Sequence, residues 1–165
     1  MKKWFLYVLA AVLLCGCGAQ PVFETVDDDD SLFVSATVRQ IQLTLPREAA
    51  KPAMQTDTGD SLYLCDGYTL QVQTFSGGDM DRTLRQLTGY CTDQLQPIRT
   101  KTAEATRYDL TWISAGEGGD QVGRAVVLDD GLNHSTVSVM AEAAKAGRLQ
   151  KTWQSLMNSV GFSTD

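Results

Sequence analysis

The single histidine of this chain, His134, is the side chain best suited to move protons near neutral pH. In a Ser-His-Asp site it would lie between a nucleophilic hydroxyl and an orienting carboxylate. Ser135 is adjacent, but neighbouring residues on a strand point to opposite faces, so these two side chains should not meet. Because His134 follows the turn residues Asp129-Asp130-Gly131, we expect an exposed loop histidine. We predict no catalytic residue.

Paired carboxylates are the second chemistry that the composition allows, because two acids can share general acid and base roles. The candidates are Glu117, Asp120, Asp129 and Asp130. All four lie in polar turns, where burial cannot set one carboxyl apart from another. A hydrolase of the cell envelope with paired carboxylates is therefore an alternative function.

The sequence does not indicate a metal or phosphate site. Cys65, Cys91 and the histidine lack zinc spacing, and the consecutive acids Asp27–Asp30 lack the alternating ligands of a calcium loop. The glycines of 116–119 are not followed by the lysine of a phosphate-binding loop. Residues 76–79 precede a helix whose N-terminus could bind an anion, but the aspartate there already supplies negative charge. We expect no cofactor and no metal.

The segment Leu14-Cys15-Gly16-Cys17 ends a leader of the secretory type. Two lysines precede an apolar stretch of eleven residues, 4–14, whereas a membrane span takes about 20. The segment resembles the lipobox of bacterial lipoproteins, with Leu14 at −3, Gly16 at −1 and Cys17 as the lipid acceptor. Cys15 is the competing acceptor, but it would place leucine at −1, where the pattern takes small residues. We therefore expect lipidation at Cys17.

This resemblance implies a lipoprotein whose residues 1–16 are a cleaved signal peptide. Fatty acids such as palmitate on Cys17 would hold the chain at the extracytoplasmic face of the cell membrane, stably if there are two or more. Residues 17–31 would be the lipidated cysteine and an acidic tether, because Asp27–Asp30 repel one another. Residues 32–165 would form a single globular domain. A plain secreted protein or an uncleaved anchor is the alternative.

The charge of the chain argues against nucleic acid as a partner. The formal net charge is −6, and it becomes −8 once Lys2 and Lys3 are removed. Phosphate binding needs a basic patch, which the sequence does not indicate. The same sign predicts that the domain as a whole is repelled by an anionic membrane surface. The apolar share of 43% is that of a globular protein.

Cys65 and Cys91 are the cysteines that remain after the anchor. An exported chain meets a compartment that permits disulfides, and a bridge between them would add about 3 kcal/mol by the loop-entropy estimate. The alternative is two separate buried thiols that behave as small apolar residues. Both alternatives stay open, since Cys65 is placed in a strand and the distance between the two is not given by the sequence.

Alternation of apolar and polar residues predicts the strands, and turn residues separate them. The predicted strands are Val38–Leu45, Leu62–Cys65, Tyr68–Phe75, a short edge strand from Ile98, Arg107–Ala115, Gly123–Leu128 and Asn133–Ala141. Asp66-Gly67 is a strong hairpin signal between the second and third of them. The aromatic residues Tyr68, Tyr108 and Trp112 could line a binding face, but alternating strand aromatics favour packing within the domain.

Two helices complete the predicted elements. The first follows the N-cap Asp79, presents Met80, Leu84 and Leu87 on one stripe, and ends at Gly89. The second is the long C-terminal helix, about residues 142–159, whose apolar stripe includes Leu149, Trp153, Leu156, Met157 and Val160. We therefore predict an α+β fold, in which an antiparallel sheet of about six to seven strands carries two packed helices, the longer at the C-terminus.

The order of these elements resembles that of the Mog1/PsbP-type fold. The resemblance is carried by the strand that ends at Pro46, the late meander, and the closing helix that ends near Ser159-Val160-Gly161-Phe162. It covers about residues 38–162, and small bacterial lipoproteins of that fold are similar in size. It implies a binding or accessory role and carries no catalytic residues.

The expected function is therefore a lipid-anchored, extracytoplasmic domain that is not an enzyme and binds a protein or another component of the cell envelope. The membrane would be its partner through Cys17. A small lipid or solute carrier is an alternative beside the hydrolase, and it would require an apolar groove between helix and sheet.

Overall fold

The computed structural model describes residues 41–49 and 51–162, which form an α+β domain. Its helices are α1 (Met80–Thr88), α2 (Thr92–Leu95) and α3 (Ala143–Asn158). Its strands are β1 (Ile41–Gln42), β2 (Met54–Gln55), β3 (Ser61–Cys65), β4 (Tyr68–Ser76), β5 (Ile98–Lys101), β6 (Thr106–Gly116), β7 (Gly119–Asp129), β8 (Asn133–Glu142) and β9 (Gly161–Phe162). A short 3₁₀ turn occupies Arg47–Ala49.

Seven of the strands form one antiparallel sheet in the order β2-β3-β4-β8-β7-β6-β5, so β8 is its central strand. The predicted fold class and the C-terminal position of the longest helix are confirmed. The remaining two strands, β1 and β9, form a separate two-stranded sheet among the described residues, with Ile41 opposite Phe162. Of the strand predicted over Val38–Leu45, the structure describes residues 41–45, and β1 contains two of these, Ile41 and Gln42. Leu43 and Leu45 still pack against the core.

The turns follow the predicted chemistry. Asp66-Gly67 joins β3 to β4, and Gly67 has a φ of 85°, which a glycine adopts without the steric cost of a Cβ. The glycine-rich segment after β6 is a tight hairpin in which Gly116 is opposite Gly119. Between β7 and β8, the Asp130 carboxylate accepts from the backbone N–H groups of Leu132 and Asn133. Each of these turns fixes the register of the strands beside it.

Helix α1 begins and ends where its capping residues predict. The Asp79 carboxylate accepts from the Arg82 N–H at 3.2 Å, and Gly89 adopts a left-handed conformation at the other end. Helix α2, which the sequence did not indicate, is a single turn tied to α1. The Asp81 carboxylate accepts from the Thr92 backbone N–H at 2.8 Å, and this bond is the largest cause that lowers the pKa of Asp81.

Helix α3 covers one face of the sheet and closes the first core. Its predicted stripe, with Trp153 at its centre, is buried against residues of β4, β7 and β8. Tyr68 meets Trp153 edge-to-face with ring centroids 6.0 Å apart. Arg107 on β6 donates to the carbonyl oxygens of Met157 and Val160, so it ties β6 to the C-terminal end of α3 and to the residue pair that follows it.

A second core lies on the opposite face of the same sheet, beneath α1. Leu84 is fully buried there with Leu110 and Trp112 of β6 and alternate residues of β7. Trp112 lies over Gly123, its cross-strand partner, so closely that a Cβ on this glycine would be 2.2 Å from the indole ring. The described residues of both cores lie between Ile41 and Phe162.

Candidate functional site

A buried polar cluster beneath α1 is the arrangement closest to a chemical site. The strand register places Asp129 directly opposite His134 on β7 and β8. Thr83, on the inner face of α1, approaches the same histidine from above. Its hydroxyl oxygen is 2.7 Å from His134 Nδ1, while His134 Nε2 is 3.7 Å from an oxygen of Asp129. The fold therefore brings a hydroxyl, an imidazole and a carboxylate into one row.

This cluster corrects the prediction that His134 is an exposed loop residue. It is only 1% exposed, because it lies inside the central strand β8 and faces α1. Ser135 points to the other face of the sheet, as the alternation of strand residues predicted. The sequence did contain one signal for the buried cluster. Thr83 lies within the apolar stripe formed by Met80, Leu84 and Leu87, and a polar residue there needs a buried partner.

The row has the residue types of a hydrolytic triad but not its accessibility. Thr83 is 2% exposed, so its hydroxyl is enclosed by the helix and the sheet. The distance of 3.7 Å between His134 and Asp129 also exceeds that of a hydrogen bond. The hydrogen bond between Thr83 and His134 instead satisfies two polar groups that would otherwise be buried without partners. The geometry fits a structural tie between α1 and β8.

An open polar cleft of about 330 Å³ lies beside this cluster, at the N-terminus of α1. Thr83 forms part of its wall, and Asp79 and Arg82 bring opposite charges to its rim. The other lining residues are Thr74, Phe75, Ser76, Gly77 and Gln86. Gly77 must be a glycine, because a Cβ there would be 2.6 Å from the backbone of Leu132. Such a lining can hold a small polar group through hydrogen bonds.

A second cleft, of about 420 Å³, lies at the C-terminal end of α3. Its wall combines the turn between β5 and β6 with β9, and it is lined by Thr102–Ala105, Arg107, Leu128 and Val160–Phe162. The guanidinium of Arg107 is already occupied by Asp109 and by two carbonyl oxygens. This cleft is therefore largely apolar and offers little to a charged ligand.

The two cysteines are free thiols that pack on opposite faces of the sheet. Cys65 lies against the core beneath α3, whereas Cys91 begins α2 on the other face. The bridge between them, which the sequence left open, stays a prediction. Burial raises the pKa of Cys65, although a hydrogen bond with Tyr68 acts in the opposite direction.

The carboxylates considered for acid and base catalysis do not meet in one place. Glu117 and Asp120 lie in the hairpin at the start of β7, whereas Asp129 and Asp130 lie at its end. Strand β7 has 11 residues, which separate the two groups by roughly 33 Å. Within residues 41–49 and 51–162, no group of three or more His, Cys, Asp or Glu side chains could hold a metal ion.

The aromatic residues have the packing roles that the strand pattern favoured. Tyr68 and Trp112 are buried in the two cores. The Tyr68 hydroxyl donates to Glu48 at 3.1 Å, and burial is the main cause that raises the pKa of Tyr68. Tyr108 is half-buried, with the guanidinium of Arg99 5.8 Å from its ring centroid. These three side chains do not form a continuous binding face.

Cys17 and the acidic segment Asp27–Asp30 lie outside the described residues, so their lipidation and tether roles remain predictions. Among the helices that the structure describes, none is long and apolar enough to cross a membrane.

Comparison with known proteins adds a shared fold. No protein-family model and no curated protein matches the chain. Among solved structures it is similar to LpqN of Mycobacterium tuberculosis, a protein involved in cell envelope biogenesis. The identity is 9%, the match covers 77% of this chain and 85% of that one, and the TM-score is 0.50.

Another similar structure is that of PA94 from Pseudomonas aeruginosa, a protein of unknown function. The identity is 13%, the match covers 73% of this chain and 81% of that one, and the TM-score is 0.42. At a sequence identity of 9%, the similarity to LpqN shows a shared fold and nothing about function. The resemblance to the Mog1/PsbP-type fold stays a prediction.

Proposed function

We propose that this chain is a lipid-anchored, extracytoplasmic domain that binds a component of the cell envelope and is not an enzyme. The observation that carries the proposal is the segment Leu14-Cys15-Gly16-Cys17 at the end of a short apolar leader. A folded domain with two cores, described over Ile41–Phe162, follows it. A leader of this type serves export and anchoring.

A binding role fits the described part of the chain better than a catalytic one. Thr83, His134 and Asp129 are the side chains that come closest to a catalytic row, and the hydroxyl among them is enclosed. The open polar cleft beside them offers hydrogen-bonding groups and two opposite charges to a ligand. Recognition of a polar envelope component, including a protein surface, would use groups of this kind. Hydrolysis by paired carboxylates has no comparable support.

The fold shared with LpqN adds a second, weaker argument. That protein is involved in cell envelope biogenesis. If the two domains also share a setting, this chain acts in the envelope as an accessory protein. The location at the membrane then follows from the lipobox and not from the fold.

The test is metabolic labelling with a palmitate analogue in a bacterial host, followed by separation of membranes. We expect the wild type to carry the label and to sediment with membranes. A Cys17→Ala variant should lose the label, because Cys15, the competing acceptor, has a leucine at −1, where the lipobox pattern takes a small residue. Cys15→Ala is the matched control, and it should keep both the label and the membrane location. A Cys17→Ala protein that still carries the label would refute the proposal.

The cleft at the end of α3 favours a second candidate function, carriage of a small apolar solute. Its volume of about 420 Å³ and its apolar wall would accept part of an acyl chain. A medium-chain fatty alcohol should then raise the thermal midpoint of the domain. Ala103→Trp, at the exposed rim of the cleft, should abolish that increase, whereas Ala144→Trp on the outer side of α3 should not. The absence of any shift with the wild type would exclude this candidate.

A further inference from the structure

The outer side of α3 carries only one sign of charge. Lys145, Arg148 and Lys151 are spaced three residues apart, and the helix contains no aspartate or glutamate between Ala143 and Asn158. This spacing places the three side chains in an oblique row about 9 Å long, at a rise of roughly 1.5 Å per residue. We call these three residues the basic row. It contrasts with the net charge of −6 of the whole chain.

Most of the charge of this row is not neutralised by neighbours. Lys145 forms an ion pair with Glu142 at 2.7 Å. Arg148 and Lys151 are exposed, and neither has an ion-pair partner among the residues that the structure describes. Arg148 also lies beside the turn between β3 and β4, where its guanidinium would be 2.7 Å from a Cβ built on Gly67. The Cδ atom of Lys145 would be 3.5 Å from the same Cβ, so both side chains lie beside this turn.

The row belongs to an element that lies next to the point where the described chain begins. Strand β1 pairs with β9, which follows α3 by two residues. The Thr44 N–H also donates to the Ser159 hydroxyl at 2.9 Å, just after the last turn of the helix. Upstream of Ile41, 24 residues lead back to Cys17. A chain of that length spans at most about 80 Å, so a lipid on Cys17 keeps α3 within reach of the bilayer.

We propose that the basic row docks α3 on the anionic phospholipid headgroups of the membrane that holds the anchor. Of the proposed function, this inference uses only the lipid anchor on Cys17 and the tether that follows it. The row fits a planar layer of phosphate groups because its charges have one sign, and because two of them, on the exposed Arg148 and Lys151, have no ion-pair partner among the described residues. Each basic residue should strengthen docking about five-fold, and salt should weaken it.

The experiment uses residues 18–165 with a hexahistidine at the N-terminus, held on vesicles through a nickel-chelating lipid. This attachment replaces the anchor, and the part of the chain used contains both cores. The vesicles are made of phosphatidylcholine alone or with one third phosphatidylglycerol. A water-soluble amine reagent then labels the lysines, and mass spectrometry gives the labelling rate of Lys145 on α3 and of Lys101 on the distant strand β5.

We expect Lys145 to be labelled several-fold more slowly on the anionic vesicles, with no difference for Lys101. Addition of 0.5 M NaCl should remove the difference. The double variant Arg148→Gln/Lys151→Gln should restore rapid labelling of Lys145, because two factors of about five are lost. The matched control Arg99→Gln/Lys101→Gln changes the net charge equally on the β5 edge, and it should leave Lys145 protected.

Equal labelling of Lys145 on the two kinds of vesicle would overturn the proposal and would favour an acidic protein as the partner of this surface. Equal effects of the two double variants would also overturn it, because net charge would then explain the result. Since attachment here does not use Cys17, failure of lipidation in the palmitate experiment and failure of docking in this one are separate outcomes.

Discussion

At the scale of single residues, the side chains that looked most reactive are occupied by structural tasks. His134 ties β8 to α1 through Thr83. Asp129 and Asp130 accept from backbone N–H groups of the turn that they form. The polar group of Trp153, in contrast, has no such structural role. Its indole Nε1 is buried and has no hydrogen-bond partner among the described residues, so its packing must outweigh the loss of that bond.

The bond between Thr83 and His134 should be measurable as stability. Thr83→Val keeps the shape but removes the hydroxyl, which leaves a buried nitrogen of His134 without its partner. We expect a loss of about 1–3 kcal/mol in the free energy of unfolding, determined with urea. Thr83→Ser keeps the hydroxyl and loses one methyl group, at about 1 kcal/mol. A valine variant as stable as the wild type would mean that the hydrogen bond contributes nothing.

The thiols of Cys65 and Cys91 give a second prediction at this scale. Residues 18–165 should yield two free thiols per chain in denaturant without a reductant, because the two cysteines lie on opposite faces of the sheet. In the folded state Cys65 should react slowly with iodoacetamide at pH 8. Burial raises its pKa, and the thiolate that reacts is correspondingly scarce. An intact mass two hydrogens lower, restored by reductant, would instead demonstrate the bridge.

At the scale of elements, one sheet is shared by helices on both faces, and small residues decide how closely they pack. Gly123 makes room for the ring of Trp112 on the neighbouring strand. Gly147 has the opposite character, since a Cβ there would meet nothing within 4 Å. Packing therefore requires a glycine at position 123 but not at position 147.

Substitution of these glycines by alanine should have effects of opposite sign. Gly123→Ala should lower the free energy of unfolding by about 1–3 kcal/mol, because Trp112 must move from its place in the core. Gly147→Ala should raise it by about 0.5–1 kcal/mol, since alanine favours a helix interior. Thermal unfolding followed by circular dichroism measures both. A Gly123→Ala variant as stable as the wild type would contradict the close packing of Trp112.

The elements that the sequence predicted well are those with a long pattern or a strong turn signal. The meander, the Asp66-Gly67 hairpin and α3 all agree with the structure within a few residues. The two-residue strands β2 and β9 were too short to show any alternation. The position of His134 was missed for another reason. A turn residue and the start of a strand look alike in sequence, and burial there depends on α1, which approaches from 51 residues away.

At the scale of the whole molecule, the two cores are coupled because they use alternate residues of the same strands. Val126 of β7 packs beneath α3, while its neighbour Val127 packs beneath α1. Loss of either core would expose one face of the sheet to water. The domain should therefore unfold in one cooperative step.

This coupling predicts that damage to either core lowers a single transition. Trp153→Ala removes the centre of the first core and should cost about 3–5 kcal/mol, and Leu84→Ala in the second core should cost about 2–5 kcal/mol. Each variant should show one thermal transition at a lower temperature than the wild type. For a given variant, near-ultraviolet and far-ultraviolet circular dichroism should give the same midpoint. Two separate transitions in either variant would mean that the cores unfold independently.

The net charge of the molecule is a poor guide to the charge of its individual surfaces. The net value of −6 predicts repulsion from an anionic membrane, yet α3 presents three basic residues and no acid. At physiological salt the Debye length is about 8 Å, so a nearby surface senses the local row more than the distant acids. The sequence predicted that Lys145, Arg148 and Lys151 face water, but it did not show that they form one basic row on the surface of the domain.

The small sheet formed by β1 and β9 has a mechanical consequence. If Cys17 is fixed to a membrane and the domain holds a partner, a pulling force reaches the described part of the fold at Ile41. Within that part, β1 pairs with β9 through Ile41 and Gln42, while the seven-stranded sheet is not in the direct line of the load. Under tension the first strand should peel away before the main sheet is strained, and the domain would gain reach while its two cores stay intact.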